Sequence, residues 1–125
     1  MLRPSADIYE LQASILRTLA SPRRLEIVHY LGEAGPTEVR RLAEHFCMPQ
    51  PTISQHLAAM RQAGLGEAVR AGREVRYQLA DPDLVAACSA MRQILIRRIT
   101  RMGLLAETFG AATVRADIAR AERAR

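Results

Sequence analysis

The sequence predicts a mainly α fold with one small β-hairpin, and three observations carry that expectation. Apolar residues recur at helical spacing along most of the chain, Pro and Gly punctuate those runs, and one stretch, "GEAVRAGREVRYQLA", switches to alternation. Hydrophobic residues make up 49% of the 125 but aromatics only 4%, so the core must be built from Leu, Ile, Val, Ala and Met, which suits helices packing on helices. A chain of this length is most simply one domain. Residues 1–110 are expected to form it, with 111–125 as an Ala/Arg-rich tail.

Taken in order, Ile8, Leu11, Ile15 and Leu19 predict a first helix. It stops before Ser21-Pro22, an N-cap residue followed by a proline suited to the first helical position. A second helix presents Leu25, Val28 and Leu31 with Ile27 beside them, and Gly32 to Pro36 close it. Thr37 is expected to cap a short third helix whose inward face is Val39, Leu42, Ala43 and Phe46. In Cys47-Met48-Pro49-Gln50-Pro51 two prolines forbid continuation, and Pro51 fits the first turn of a new helix. Ile53, Leu57 and Met60 there fall within about 40° of one another at about 100° per residue, so they face the core, and Gly64 is placed to end the helix. Pro51, Gln55, Ala58 and Gln62 then point outward, with Thr52 and Ser54 on either flank. Two helices joined by a tight turn, the second small and polar on its outer face, form the pattern of a helix-turn-helix.

After Gly64 the alternation puts Val75, Tyr77 and Leu79 on one face of a hairpin and Arg76 and Gln78 on the other, with Ala71-Gly72 as the turn. Asp81-Pro82 then caps a long helix whose apolar positions are Leu84, Cys88, Met91, Leu95, Ile99, Met102, Leu105 and Phe109. Near-heptad spacing of that length exceeds what one small core can cover. It predicts a subunit seam in which the long helix meets Ile8, Leu11, Ile15 and Leu19 of the first, so that the N- and C-terminal helices form a dimer interface. Gly110 is expected to fray its end.

The formal net charge is +5, and all 18 basic residues are Arg. Over residues 21–49 Arg23, Arg24, Arg40 and Arg41 are cancelled by Glu26, Glu33, Glu38 and Glu44, whereas residues 50–80 set Arg61, Arg70, Arg73 and Arg76 against Glu67 and Glu74 alone. The surplus begins with the polar-faced helix and suits a polyanion. That helix spends Gln50, Thr52, Ser54, Gln55 and His56 on its first turns, although Ser and Thr are poorer helix formers than Glu or Arg. Long charged side chains would hold a helix away from base edges, whereas Ser and Thr permit close approach and Gln can pair bidentately with adenine. Arg61 and the hairpin arginines suit phosphate contacts. His56 lies about 60° from the core direction, a position open equally to packing, capping or DNA contact.

The order of elements, with "LASPRRLEIVHYL", "LAEHFCMPQPTISQHLAAMRQAGL" and "GREVRYQLADPDL", resembles the ArsR/SmtB family of bacterial winged-helix repressors from roughly Leu11 to Leu95. The resemblance implies a winged helix-turn-helix homodimer that binds a near-palindromic double-stranded operator and leaves it when an inducer binds. Carried over, the base-reading positions are Gln50, Thr52, Ser54 and Gln55, with Arg73 on the wing, joined by Arg70 or Arg76. Gly66 departs from the family pattern, which usually has a β-branched residue there.

Other chemistries find little support. The family's metal site on the long helix maps to Asp81, Asp83, Ile94 and Arg97, and its cysteine ligands early in the third helix map to Glu38. Neither set survives, and Cys47 and Cys88 cannot complete a tetrahedral set of N/S ligands; no metal or cofactor is expected. The family's persulfide-sensing cysteines map to His29 and Ile96. Cys47 and Cys88 remain as candidate thiols for a redox effector, Cys88 being more simply a small buried hydrophobe of the seam. His29 reads as structural, His45 as solvated, and Arg92, Arg97, Arg98 and Arg101 as a solvated helix face. No catalytic set or phosphate-cradling Gly loop points to an enzyme. No membrane span or signal core is present, so a cytoplasmic protein is expected. The alternative of another class is a dimeric winged-helix interaction module without operator binding.

Overall fold

The computed structural model describes residues 4–103 together with 116, 119, 120 and 123. The chain divides into two compact units, Met1–Val85 and Ala86–Arg125. The expected boundary at 110/111, with Leu105, Phe109 and Gly110, lies outside the described residues.

The first unit is a helical core with a small sheet at one edge. Helix α1 (Pro4–Leu19) is followed by α2 (Pro22–Ala34), where Ser21 caps the first turn by accepting a hydrogen bond from the Arg24 amide at 3.4 Å. Strand β1 (Thr37–Glu38) leads into α3 (Val39–Phe46) and α4 (Gln50–Gln62), and a hairpin of β2 (Gly66–Ala71) and β3 (Glu74–Leu79) follows. The sheet is antiparallel with order β1-β3-β2. The buried hydrophobic residues are Leu19, Ile27, Val28, Leu31, Leu42, Ala43, Ile53, Leu57, Met60 and Leu65, with Thr37 buried beside them. None of these is aromatic, as the composition requires.

Three expectations need correction. Leu25 is 44% exposed, and α2 instead buries Ile27, Val28 and Leu31, because α1, α3 and β3 meet α2 on a face turned from the one predicted. Thr37 does not cap α3. It belongs to β1, pairs with Tyr77 of β3, and donates its hydroxyl to the Gly35 carbonyl at 2.8 Å, leaving Glu38 at the N-cap without a side-chain bond. The hairpin turn is Gly72-Arg73 rather than Ala71-Gly72, since Ala71 pairs with Glu74 and Gly72 has φ +66°, the left-handed backbone that a glycine-first two-residue turn requires. Strand β2 starts at Gly66, paired with Leu79, so the departure from the family pattern does not delay the strand.

Helix α5 (Asp83–Met102) begins where predicted, with the Asp83 amide donating to the Asp81 carboxylate at 2.9 Å. Its span closes at Met102, followed by Gly103, whose φ is +65°.

Gly32 lets the start of α5 approach α2. A Cβ at Gly32 would lie 2.5 Å from one Val85 methyl and 3.1 Å from the other, and the β-branched valine cannot swing away. Gly32→Ala should therefore lower the thermal midpoint, the clash outweighing the roughly 1 kcal/mol that alanine gains in a helix. A midpoint raised above wild type would overturn this.

Candidate nucleic-acid interface

Helix α4 follows the tight turn that leaves α3. Cys47 makes the turn in left-handed backbone, φ +53°, and Pro49 stands at the N-cap of α4. Ile53, Leu57 and Met60 are buried and fix the rotation of α4 about its own axis. That rotation leaves Gln50, Pro51, Ser54, Gln55, Ala58, Arg61 and Gln62 exposed along one face, as the periodicity predicts, with Thr52 half-buried at its margin. The face carries amide, hydroxyl and methyl groups at its N-terminal end and Arg61 in its last turn.

The hairpin projects from the same unit. Its alternation is buried only at the base: Tyr77 and Leu79 are half-buried, whereas Val75 is exposed. Gln78 and Glu67 tie its strands together by a 2.6 Å hydrogen bond. Arg73 occupies the turn and Arg70 lies on β2, both exposed and without an ion-pair partner among the described residues. Arg76 differs, because its guanidinium donates to the Glu74 carboxylate at 3.0 Å. A shallow groove lined by Ala58, Arg61, Gln62 and Tyr77 joins the C-terminal half of α4 to β3.

His56 is held from behind. Its Nδ1 accepts a hydrogen bond from Arg24 Nε at 3.1 Å, and the ring is half-buried on the flank of α4. Burial first, then the charges of Arg24 and Arg23, push its pKa below the ordinary 6.5. Arg24, which the sequence marks only as one of the balanced charges of residues 21–49, also donates from Nη1 to the Thr18 carbonyl at 3.0 Å. Nothing in the local pattern distinguishes it from Arg23, which instead pairs with Glu26 at 2.7 Å.

The remaining candidates lie elsewhere. His45 stacks on Tyr30 with ring centroids 4.3 Å apart, and His29 Nε2 lies 3.1 Å from Glu33. Cys47 is exposed and its thiol donates to the Glu44 carbonyl at 3.7 Å. Cys88 on α5 is half-buried, and burial raises its thiol pKa against a smaller opposing pull from Arg92, which disfavours the reactive thiolate. Of the seam residues, Ile8, Leu11, Met91, Leu95 and Met102 are exposed, while Ile15, Leu84, Cys88 and Ile99 are half-buried; the expectation for Leu19 needs correction, since it is buried in the core of its own chain and is not left for a seam. Among the described residues no group of three or more His, Cys, Asp or Glu is placed to hold a metal, and no helix is long and apolar enough to cross a membrane.

A helix-turn-helix whose second helix is followed by an antiparallel hairpin defines the class as a winged helix-turn-helix. A family model described as "Bacterial regulatory protein, arsR family" matches residues 21–65, from the cap of α2 to the end of the α4 turn. Similarity to known proteins extends further along the chain. It is 41% identical over 81 residues to the HTH-type transcriptional repressor SmtB of Mycobacterium tuberculosis, an alignment covering 65% of this chain and 59% of that repressor. It is 35% identical over 95 residues to the HTH-type transcriptional regulator CmtR of Mycobacterium bovis, covering 76% and 80%. A homodimeric winged helix-turn-helix DNA-binding domain of Mycobacterium bovis, Mb0332, described as a possible ArsR-family regulator, superposes with a TM-score of 0.68 at 27% identity, covering 76% of this chain and 87% of that domain. The chain belongs to the arsR family of bacterial regulatory proteins.

Proposed function

We propose that this chain is a homodimeric transcriptional repressor that reads a near-palindromic double-stranded operator in the bacterial cytoplasm and is released by an effector. The observation that carries the reading is the outer face of α4: Gln50, Ser54 and Gln55 stand free in solvent on a helix whose opposite side is locked into the core. Amide and hydroxyl groups there can approach base edges in a major groove, with Thr52 at the margin. Arg61, Arg70 and Arg73 supply cationic contacts to phosphate, and Arg76 joins them only by leaving Glu74. The names of the relatives SmtB and CmtR and the homodimeric state of the Mycobacterium bovis domain support the same reading.

The dimer would bury α1 residues Ile8, Leu11 and Ile15 with α5 residues Leu84, Cys88, Met91, Leu95, Ile99 and Met102. Exposed Met and Leu on two separate helices are what a single chain leaves for a second copy to cover.

Base reading and phosphate gripping separate in one experiment on the DNA upstream of the protein's own gene. Gln55→Ala should cost about 1–3 kcal/mol and relax specificity at one base position. Arg73→Ala should weaken operator and random duplex alike and reduce the salt slope by about one. Equal losses on both duplexes for Gln55→Ala would remove Gln55 from base reading. Affinity indifferent to salt would favour an interaction module instead.

A further inference from the structure

We propose that Arg24 is a positioning residue for the DNA-reading helix, tying α4 through His56 to the junction of α1 and α2 so that protonation of His56 weakens operator binding. This rests on the DNA-binding reading above.

The geometry is a three-way tie. The Arg24 amide is held by the Ser21 cap at 3.4 Å, its Nη1 donates to the last turn of α1 at Thr18 O, 3.0 Å away, and its Nε donates to His56 on α4 at 3.1 Å. This side-chain hydrogen bond joins α4 to α2 across 32 positions of the chain. Apolar contacts of Ile53, Leu57 and Met60 resist pulling α4 out of the core, but they are non-directional and tolerate small sliding and rotation. A hydrogen bond on the flank sets the angle. His56 directly follows Gln55, so a rotation of α4 that His56 permits displaces Gln55 and Ser54 from the bases.

The tie depends on a neutral ring. Nδ1 must offer its lone pair to Arg24, leaving the proton on Nε2; an imidazolium presents a second donor to a donor, and a cation to a cation. Arg24 and Arg23, both on α2, are the charged groups that face His56. None faces it from α1, α3 or β2, the other elements packed on α4, and no carboxylate among the described residues pairs with it. Burial and these arginines keep the folded ring neutral below 6.5, where an unfolded chain already takes up the proton. The unfolded state thus binds more protons, and stability falls with pH from 6.5 down through the depressed folded value. The sign separates this role from direct contact, since a His56 imidazolium on phosphate would tighten binding in acid.

The test measures affinity of the full chain for the upstream duplex by fluorescence anisotropy at fixed ionic strength, from about pH 7.5 to about pH 5.5. Wild type, His56→Asn, His56→Leu and Arg24→Leu are compared, each checked for folding by circular dichroism. Asn places its Oδ1 where Nδ1 stands and cannot be protonated in this range. His56→Asn should bind within about twofold of wild type at neutral pH and should lack the acid loss, which in wild type should grow toward about pH 5.5 but stay below about tenfold, because the folded ring titrates below 6.5. His56→Leu and Arg24→Leu should be weak at neutral pH and no weaker relative to His56→Asn in acid. Identical pH profiles for wild type and His56→Asn, or tighter wild-type binding in acid, would overturn the proposal. If wild type binds no duplex at any pH, the DNA reading itself fails. An acid-dependent fall in thermal midpoint that His56→Asn removes would then show the tie intact without that use.

Discussion

Ile53→Ala should destabilise the protein by about 2–5 kcal/mol, seen as a lower urea midpoint at unchanged slope, and should weaken operator binding in proportion to the unfolded fraction. Ile53 is 0% exposed in the first turns of α4, between the polar residues proposed to read bases. Removing its branched end leaves a hole that α3 and α4 cannot both close, because Leu42, Leu57 and Met60 are themselves fully packed. The cost is large against the roughly 5–15 kcal/mol that holds a domain folded. Gln55→Ala, two positions along the same helix but exposed, should leave stability within about 0.5 kcal/mol of wild type. The pair thus separates loss of fold from loss of contact. Wild-type melting of Ile53→Ala would mean that α4 is not held by this face.

Leu95→Asp carries the other large expected effect. Leu95 is 49% exposed on α5, a cost without purpose in an isolated chain and a gain once a second copy covers it. An aspartate there would carry one charge per subunit into the proposed apolar seam, where desolvating it is costly. Sedimentation should then show the mass of a single chain. Operator affinity should fall by about 10²–10⁴, because two recognition helices held by one dimer bind half-sites at high effective concentration and separated chains do not. The far-ultraviolet spectrum of the first unit should be retained, since none of its buried residues lies on α5. An unchanged mass for Leu95→Asp would place the dimer contact elsewhere.

The two predictions differ in how directly the sequence announces them. Ile53, Leu57 and Met60 were legible from spacing alone, since residues three and four apart must share a face of any helix. Ser21-Pro22 was legible for a similar reason: a hydroxyl followed by proline satisfies a helix start without distant partners. The hairpin followed from alternation, though its turn moved by one residue because Ala71 still pairs with Glu74 and Gly72, with positive φ, takes the first turn position. Strand β1 left no trace, as two residues have no period and their pairing with Tyr77 and Arg76 is set by partners far along the chain. Leu25 misled for the opposite reason. It fits a helical stripe, but which of two adjacent stripes is buried depends on what packs there, and Ile27 faces the neighbours.

Local chemistry thus sufficed for the helices, the turn before α4, the hairpin and the exposed polar face of α4, because caps, prolines and periodicity act over a few residues. Tertiary packing decided the rest. It set β1 against β3, chose the buried stripe of α2, and brought Arg24 across 32 positions to His56. A hydrogen bond between distant side chains is settled by where whole helices come to rest, and no spacing along a single helix encodes that.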